Sequence, residues 1–331
     1  GIQKAVELKT KYNIRVINLS LGRPVIESYT TDPLAVAAEY AWKNGIAVVA
    51  AAGNMGRSNY ATTMGYGTVA SPGNHPLVIT VGSMKTMSTA NRSDDQIASY
   101  SSKGPTLVDH VVKPDLVAPG NQMNSVACAT CALTLSYPEN RTSLAEYTKS
   151  MTGPSADYFN LSGTSMATPV VSGALALLFQ QTPSLTPDQA KARLMKTASK
   201  SFPTATTATD PATGAVYTSY YDIFTVGAGY LDVWAALNNR DTTTLSAASP
   251  KVTYDATTKT VRLVRDPSTM WGSSVIWGEN VVWGTSVLSG TTVLGANSVI
   301  WGESTTAGFS VIWGETVVWG TSDTAGSSFT I

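Results

Sequence analysis

Charge is scarce in this chain, and neither sign is in excess. Of 331 residues, 22 are Lys or Arg and 22 are Asp or Glu, so the formal charge is zero. Proteins drawn to nucleic acid or to an anionic membrane carry a basic surface, and this composition supplies none. Long apolar runs are also lacking, and no segment approaches the roughly 20 residues needed to cross a bilayer. No amino-terminal targeting segment is visible, and the chain starts at Gly1. Histidine occurs only twice, at His75 and His110, which leaves few candidates for a base working near neutral pH. Cysteine occurs only at Cys128 and Cys131. A zinc site wants two further ligands nearby, and a redox site wants a thioredoxin-like βαβ setting. Neither surrounds this pair, and both a local disulfide and two free thiols fit the spacing.

What is present is concentrated in Leu161-Ser162-Gly163-Thr164-Ser165-Met166-Ala167-Thr168-Pro169, followed by the apolar run Val170 to Phe179. A serine hydroxyl is a weak nucleophile until a base and an oxyanion site surround it. A helix start helps, because its free N–H groups and positive dipole end favour developing negative charge. The plainer reading is a Ser/Thr-rich helix cap. A second segment, Ile46 to Ala52, reads as a buried strand and ends in Gly53-Asn54. There, small residues leave room beside the backbone, and an amide can donate to an oxyanion. An α/β-hydrolase elbow needs G-x-S-x-G, and Ala167 stands where its last glycine belongs.

Gly163-Thr164-Ser165-Met166-Ala167-Thr168-Pro169 resembles the nucleophile motif of the subtilisin-like serine proteases, the subtilases. Three further stretches fall in that family's order: Val16 to Gly22, Ser99 to Pro105, and Lys113 to Gly120. The resemblance spans roughly residues 1–238. It implies that Ser165 is the nucleophile and that Asn54, with the Ser165 N–H, holds the oxyanion. It implies that Ser20-Leu21-Gly22 and Ala51-Ala52-Gly53 pair with an extended polypeptide substrate and line its side-chain pocket. Ser99–Pro105 and Lys113–Gly120 read as structural turns. Because Ala50 to Gly53 are small and uncharged, the expected pocket favours large apolar side chains before the cut.

One part of the family pattern has no counterpart. Subtilases carry their catalytic Asp and His upstream of the oxyanion Asn, in D-T/S-G and H-G-T motifs, and neither motif occurs here. His75, in Gly-Asn-His-Pro, and His110, beside Asp109, both follow Asn54 and lack the glycine-rich setting. The expectation is a truncated or processed chain whose upstream part, its partner within the same domain, carried both residues. Such a chain would be inactive alone. The family implies a secreted, extracellular, bacterial enzyme that needs no cofactor. No metal ligand set is visible, although a structural calcium ion is compatible with the sequence. The alternative is a non-catalytic scaffold that binds peptides or a partner through the same groove.

The coarse pattern alternates. Helices are expected over residues 1–12 and 33–43, after Ser165, from the Thr186-Pro187-Asp188-Gln189 capping box to about Ala198, and up to Leu237. Strands are expected over 14–19, 46–52, 77–81, 97–100 and 115–118. This order predicts an α/β fold, a parallel β-sheet covered by helices, subtilisin-like but incomplete at its N-terminus, with its site at the strand carboxyl ends. The helix after Ser165 is apolar on nearly every side and is expected to be buried, with Gly173 allowing close packing. The Cys-bearing stretch, residues 121–159, reads as a surface excursion bordering the cleft.

Residues 1–239 form the expected catalytic domain, 240–270 a linker or small β segment, and 271–331 a repeat tail. In the tail, Trp-Gly recurs on a six-residue register at Trp271, Trp277, Trp283, Trp301, Trp313 and Trp319, with Ser289-Gly290 and Ala307-Gly308 in phase. Short periods of Gly and β-branched residues make stacked strands and turns. Similar tails follow the catalytic domain in some bacterial subtilases. Six of the eight tryptophans lie here. Deleting residues 268–331 should therefore leave the body folded while removing most tryptophan fluorescence. Emission from the intact tail like that of free indole in water would instead show an unstacked repeat.

Overall fold

The computed structural model describes residues 1–58, 65–128, 130–203, 205–255, 260–264, 266–269, 281–283, 286–288 and 293–295. Helix α1 (Ile2–Tyr12) closes on Asn13 in the left-handed conformation and leads into strand β1 (Val16–Leu19). Helix α2 (Pro33–Lys43) starts on Asp32, whose carboxylate accepts from the Leu34 and Ala35 N–H groups. Pro33 occupies its first position, where a missing N–H costs nothing. The helix stops at Asn44, and Gly45 takes φ +76°. Strands β2 (Ala47–Ala51), β3 (Ile79–Lys85), β4 (Gln96–Ile97) and β5 (Leu116–Pro119) follow.

These strands make one sheet. β1 pairs with β2, β2 with β3 and β3 with β5, all in parallel, while the short β4 lies antiparallel to β3. Every residue of β2 is buried, as expected of a strand covered on both faces. β1 lies at the edge, and its only strand partner among the described residues is β2. The strand expected over 97–100 is limited to β4. Beyond Ile97 the chain turns so that the Ser102 N–H can reach the Gly53 carbonyl, 2.9 Å away.

The Cys-bearing excursion is a small antiparallel sheet of β6 (Met123–Val126), β7 (Arg141–Ser143) and β8 (Pro154–Leu161), in the order β6-β8-β7, with helix α3 (Ala132–Ser136) between β6 and β7. Cys128 and Cys131 are joined in a disulfide, which decides between the two states that their spacing allowed.

Helix α4 (Thr164–Gln181) carries Ser165 in its first turn and packs across β1, β2, β3 and β5. It was expected to be enclosed, and it is not. Ala167, Val171, Leu175 and Leu178 are buried against the sheet, but Pro169, Gly173, Ala176 and Leu177 face outward, with Leu177 44% exposed. A Cβ on Gly173 would meet nothing within 4 Å, so close packing does not account for this glycine among the described residues. The reason is geometric. A helix packed on a sheet covers one stripe, and nothing described lies over the other.

Helix α5 (Pro187–Thr197) opens with the expected capping box, Thr186 with Gln189. The hairpin β9 (Ala205–Thr209) and β10 (Val216–Tyr220) precedes helix α6 (Val233–Asn238). The 240–270 stretch forms the hairpin β11 (Lys251–Asp255) and β12 (Thr260–Val264), and its leading part docks on the body. The Ala247 N–H donates to Asp188, and Ala247 and Val252 join the core. Strands β13 (Val281–Trp283), β14 (Ser286–Leu288) and β15 (Val293–Gly295) are short, and β15 pairs with β12. The tryptophan repeat lies otherwise outside the described residues.

A buried charge cluster ties the amino ends of β3 and β5 to α5. Lys113 Nζ lies 2.6 Å from Asp115 Oδ2 and Lys191 Nζ lies 3.0 Å from Asp115 Oδ1, all with fully buried side chains. Asp115 also accepts from the Thr80 N–H at 2.7 Å and from the Ser249 hydroxyl. Burial works against the Asp115 carboxylate, but Lys113 and Lys191 more than offset it and hold its pKa below the ordinary value. Burial pulls Lys113 down to about 7 against the attraction of Asp115. Asp115→Asn would leave two buried ammonium groups without a carboxylate. Such a loss costs about 3–5 kcal/mol, measurable by urea denaturation. A cost below about 1 kcal/mol, typical of exposed pairs, would show that the cluster is not what joins these elements.

Candidate functional site

The carboxyl ends of β1, β2 and β5 converge on the first turn of α4. The Gly163 N–H donates to the Gly120 carbonyl just beyond β5, at 2.8 Å. Thr164 then clasps the turn that leaves β2. Its hydroxyl accepts from the Gly53 N–H at 3.1 Å and donates to Asn54 Oδ1 at 3.0 Å, while its backbone N–H also donates to Asn54 Oδ1, at 2.9 Å. The Asn54 carbonyl oxygen is therefore spent on Thr164, which fixes which face of the amide carries Nδ2. That NH₂ group has no acceptor among the described residues. A Cβ on Gly163 would stand only 3.3 Å from Asn54 Nδ2, so glycine there keeps the space beside the amide open.

Gly53 lies at φ +109°, and a Cβ on it would meet Ser102 Oγ at 2.8 Å. Ser102 fastens this turn twice, its N–H donating to the Gly53 carbonyl and its hydroxyl accepting from the Met55 N–H. Thr164 and Ser102 are the two site residues that sequence reasoning left without a role. Both stand inside motifs already singled out, next to Ser165 and in the Ser99–Pro105 turn, and that adjacency was the available signal.

Ser165 sits where the helix start leaves N–H groups unpaired. Its N–H and its hydroxyl have no partner among the described residues. Its carbonyl accepts from Ser20 Oγ at 2.6 Å, so the structure does bring Ser20, Asn54 and Ser165 together. Leu21 is 49% exposed, and the backbone groups of Ser20, Leu21 and Gly22 find no partner among the described residues. Ala51 and Ala52 are placed differently from the expectation. Both are buried. The Ala52 N–H donates to Val81 and its carbonyl accepts from Ala70, while Gly53 is taken at both ends by Thr164 and Ser102. Sheet closure thus consumes the backbone that was expected to pair with substrate. Ala50 is buried as well, so the apolar preference inferred from these alanines loses its support. On the other side, Met166, Pro169 and Val170 of α4 face Phe159 and Leu161 of the excursion across a cavity of about 480 Å³. The excursion therefore borders the helix start.

Neither histidine joins this group. His75 lies before the amino end of β3, whereas Ser165 lies at the carboxyl ends. Its Nδ1 accepts from the Leu77 N–H at 3.2 Å, and its ring meets that of Tyr29 edge-on at 4.9 Å. Burial, with Lys113 and Lys191 adding to it, pulls its pKa down to about 3. His110 stands at φ +53° before β5, and its carbonyl accepts from the Val252 N–H of the β11–β12 hairpin. Among the described residues no group of three or more His, Cys, Asp and Glu is placed to hold a metal ion. No described helix is long and apolar enough to cross a membrane.

Comparison with known proteins agrees with these motifs. The Subtilase family profile matches residues 1–216. "Serine protease AprX" of Bacillus subtilis (strain 168) is 37% identical over 199 residues, covering 57% of this chain and 40% of that protein. "Subtilisin DY" of Bacillus licheniformis is 35% identical over 198 residues, covering 60% of this chain and 54% of that protein. The chain thus spans about half or less of the length of these relatives. Among solved structures, "Sphericase" aligns with a TM-score of 0.46 at 26% identity, over 70% of this chain and 61% of that one.

The depressed His75 pKa makes stability depend on pH. Unfolded, the ring titrates near 6.5; folded, near 3. Between those values the unfolded chain binds a proton that the folded chain does not, so stability rises with pH. The His75 contribution is complete above the unfolded value and is lost as pH falls toward 3. Relative to His75→Gln, the protein should lose up to about 1.4 kcal/mol of unfolding free energy per pH unit over that window. A difference independent of pH in denaturation curves would show that the ring protonates freely in the fold.

Proposed function

The chain belongs to the Subtilase family of serine endopeptidases, and on that premise we propose that it cuts polypeptides through an acyl-enzyme on Ser165. The observation that carries this reading is the Thr164 clasp, which holds Asn54 against the start of α4 with Nδ2 uncommitted. Ser165 Oγ attacks the scissile carbonyl, and the oxyanion lies between Asn54 Nδ2 and the Ser165 N–H. A histidine oriented by an aspartate takes the hydroxyl proton and returns it to the leaving amine; water then releases the acyl group by the same route. No cofactor enters these steps, because nucleophile, base and oxyanion donors complete acyl transfer. The open backbone of Ser20-Leu21-Gly22 receives the extended substrate.

Histidine and aspartate are proposed to come from residues outside 1–331. His75 and His110 are committed at the other ends of the strands. The edge of β1 and the outward stripe of α4, Pro169 to Leu177, are surfaces on which such a segment can pack beside Ser165. The Cys128–Cys131 disulfide fits an oxidising compartment, and we place the enzyme outside the cell. The second reading, a peptide-binding scaffold without catalysis, is favoured by one observation: the Ser165 hydroxyl has no base among the described residues.

A serine-directed fluorophosphonate separates the two. With the upstream segment supplied, in the same chain or separately, Ser165 should be labelled and peptides hydrolysed. Labelling should vanish in Ser165→Ala and survive in His75→Ala and His110→Ala. Asn54→Ala should lower kcat by about 10²–10³, the loss measured when this donor is removed from subtilisin itself. Peptide binding without labelling would favour the scaffold. Full activity of residues 1–331 alone, abolished by changing His75 or His110, would overturn the outside origin of the base.

A further inference from the structure

Pro169 stands four residues after Ser165 inside helix α4. In an α-helix the N–H of residue i+4 bonds the carbonyl of residue i. Proline has no N–H, and its ring crowds that carbonyl. The helix therefore denies the carbonyl of its own nucleophile the usual partner. The Ser20 hydroxyl takes that place, donating to the Ser165 carbonyl at 2.6 Å across 145 residues of sequence.

The bond is the last of an ordered series. The Ser172 hydroxyl shares its hydrogen between Asn18 Oδ1 at 2.8 Å and the Thr168 carbonyl at 3.1 Å, Asn18 Nδ2 donates to Ser20 Oγ at 2.9 Å, and the Ser20 hydroxyl, its oxygen so engaged, points its single hydrogen at Ser165. The exit of β1 is thus tied to α4 at two successive levels. On the other side of the Ser165 Cα, the Thr164 carbonyl accepts from Thr168 Oγ1 at 2.7 Å. Both peptide planes flanking the nucleophile are then held by side-chain hydroxyls. These planes set the direction of the Ser165 side chain and of the N–H proposed as oxyanion donor.

We infer that Ser20 is a positioning residue for Ser165, supplying the hydrogen bond that Pro169 removes from the nucleophile's carbonyl. The inference rests on the acyl-transfer reading above and gives Ser20 a role apart from lining the substrate groove. Ser20 is exposed, so water can replace its hydroxyl in Ser20→Ala. Folding is then little affected, and what is lost is orientation.

The test is a double-substitution cycle in the protein supplied with its histidine-bearing segment. It compares unsubstituted protein, Ser20→Ala, Pro169→Ala and the double variant. The readouts are the rate of fluorophosphonate labelling, kcat and KM separately, and the melting temperature. A net hydrogen bond of ordinary strength corresponds to about three- to tenfold in rate. Ser20→Ala should slow labelling and kcat by that factor with KM and melting temperature unchanged. Pro169→Ala restores an N–H at position 169, so in that background the same substitution should change the rate less than about twofold, the mark of coupled sites. Ser20→Thr, which keeps the hydroxyl, should retain the rate, and its isostere Ser20→Val should lose it; this pair answers the question even if Pro169→Ala does not fold. Equal factors in both backgrounds, equal rates for Thr and Val, or a rise in KM at constant kcat would overturn the inference alone. No labelling of the unsubstituted protein would overturn the acyl-transfer reading and this inference with it.

Discussion

The structure depends on one docking event, the fastening of the first turn of α4 to the loops at the carboxyl ends of the parallel strands. Packing of Ala167, Val171, Leu175 and Leu178 on the sheet supplies most of the cohesion, since each such buried side chain adds about 1–3 kcal/mol. Apolar packing alone, however, tolerates small slides of a helix along a sheet. The Thr164 bonds to Gly53 and Asn54, the Gly163 bond to Gly120 and the Ser20 bond to Ser165 remove that freedom. They tie one helix end to the loops after β2, β5 and β1 in turn. Directional bonds therefore set the geometry that burial makes stable.

The two ends of the sheet divide the work. At the amino ends, Lys113, Lys191, Asp115 and Ser249 are buried and bonded to one another, and His75 is buried and neutral. Polar groups there are spent on holding elements together. At the carboxyl ends, Asn54 Nδ2, the Ser165 N–H and hydroxyl, and the backbone of Ser20 to Gly22 are uncommitted among the described residues. A reaction centre needs such groups, because a donor already satisfied by the protein cannot strengthen its bond as charge develops on the substrate. Arrangement on parallel strands gives this asymmetry directly, since the loops that can move apart to form a crevice lie at one end.

Proline at position 169 shows how sequence-local and long-range requirements meet. It removes one helical bond at the Ser165 carbonyl, and the exit of β1 supplies another in its place. The same proline lies on the outward stripe of α4, beside the cavity bordered by Phe159 and Leu161. The disulfide-bearing excursion thus reaches the same first turn from the other side, and the start of α4 is bordered by the exits of β1 and β2 and by the excursion.

That Ser165 and Asn54 belong to one candidate site was legible because each stands in a short contiguous motif, and the parallel α/β order was legible from alternating apolar runs. The capping box at Thr186 and Gln189 and the stop at Asn44-Gly45 followed from local rules that hold in any context. What only the tertiary structure decided was how backbone groups are shared. Ala51 and Ala52 read as a substrate wall, yet sheet pairing buries them. The apolar run after Ser165 read as enclosed, yet it leaves Pro169, Gly173, Ala176 and Leu177 uncovered. Ser20 read as part of a groove, yet its hydroxyl serves the helix. Hydropathy and spacing report which residues can be buried. They do not report which strand, helix or loop arrives to take each N–H and C=O, because those partners come from elsewhere in the chain, Val81 for the Ala52 N–H and Ser20 for the Ser165 carbonyl.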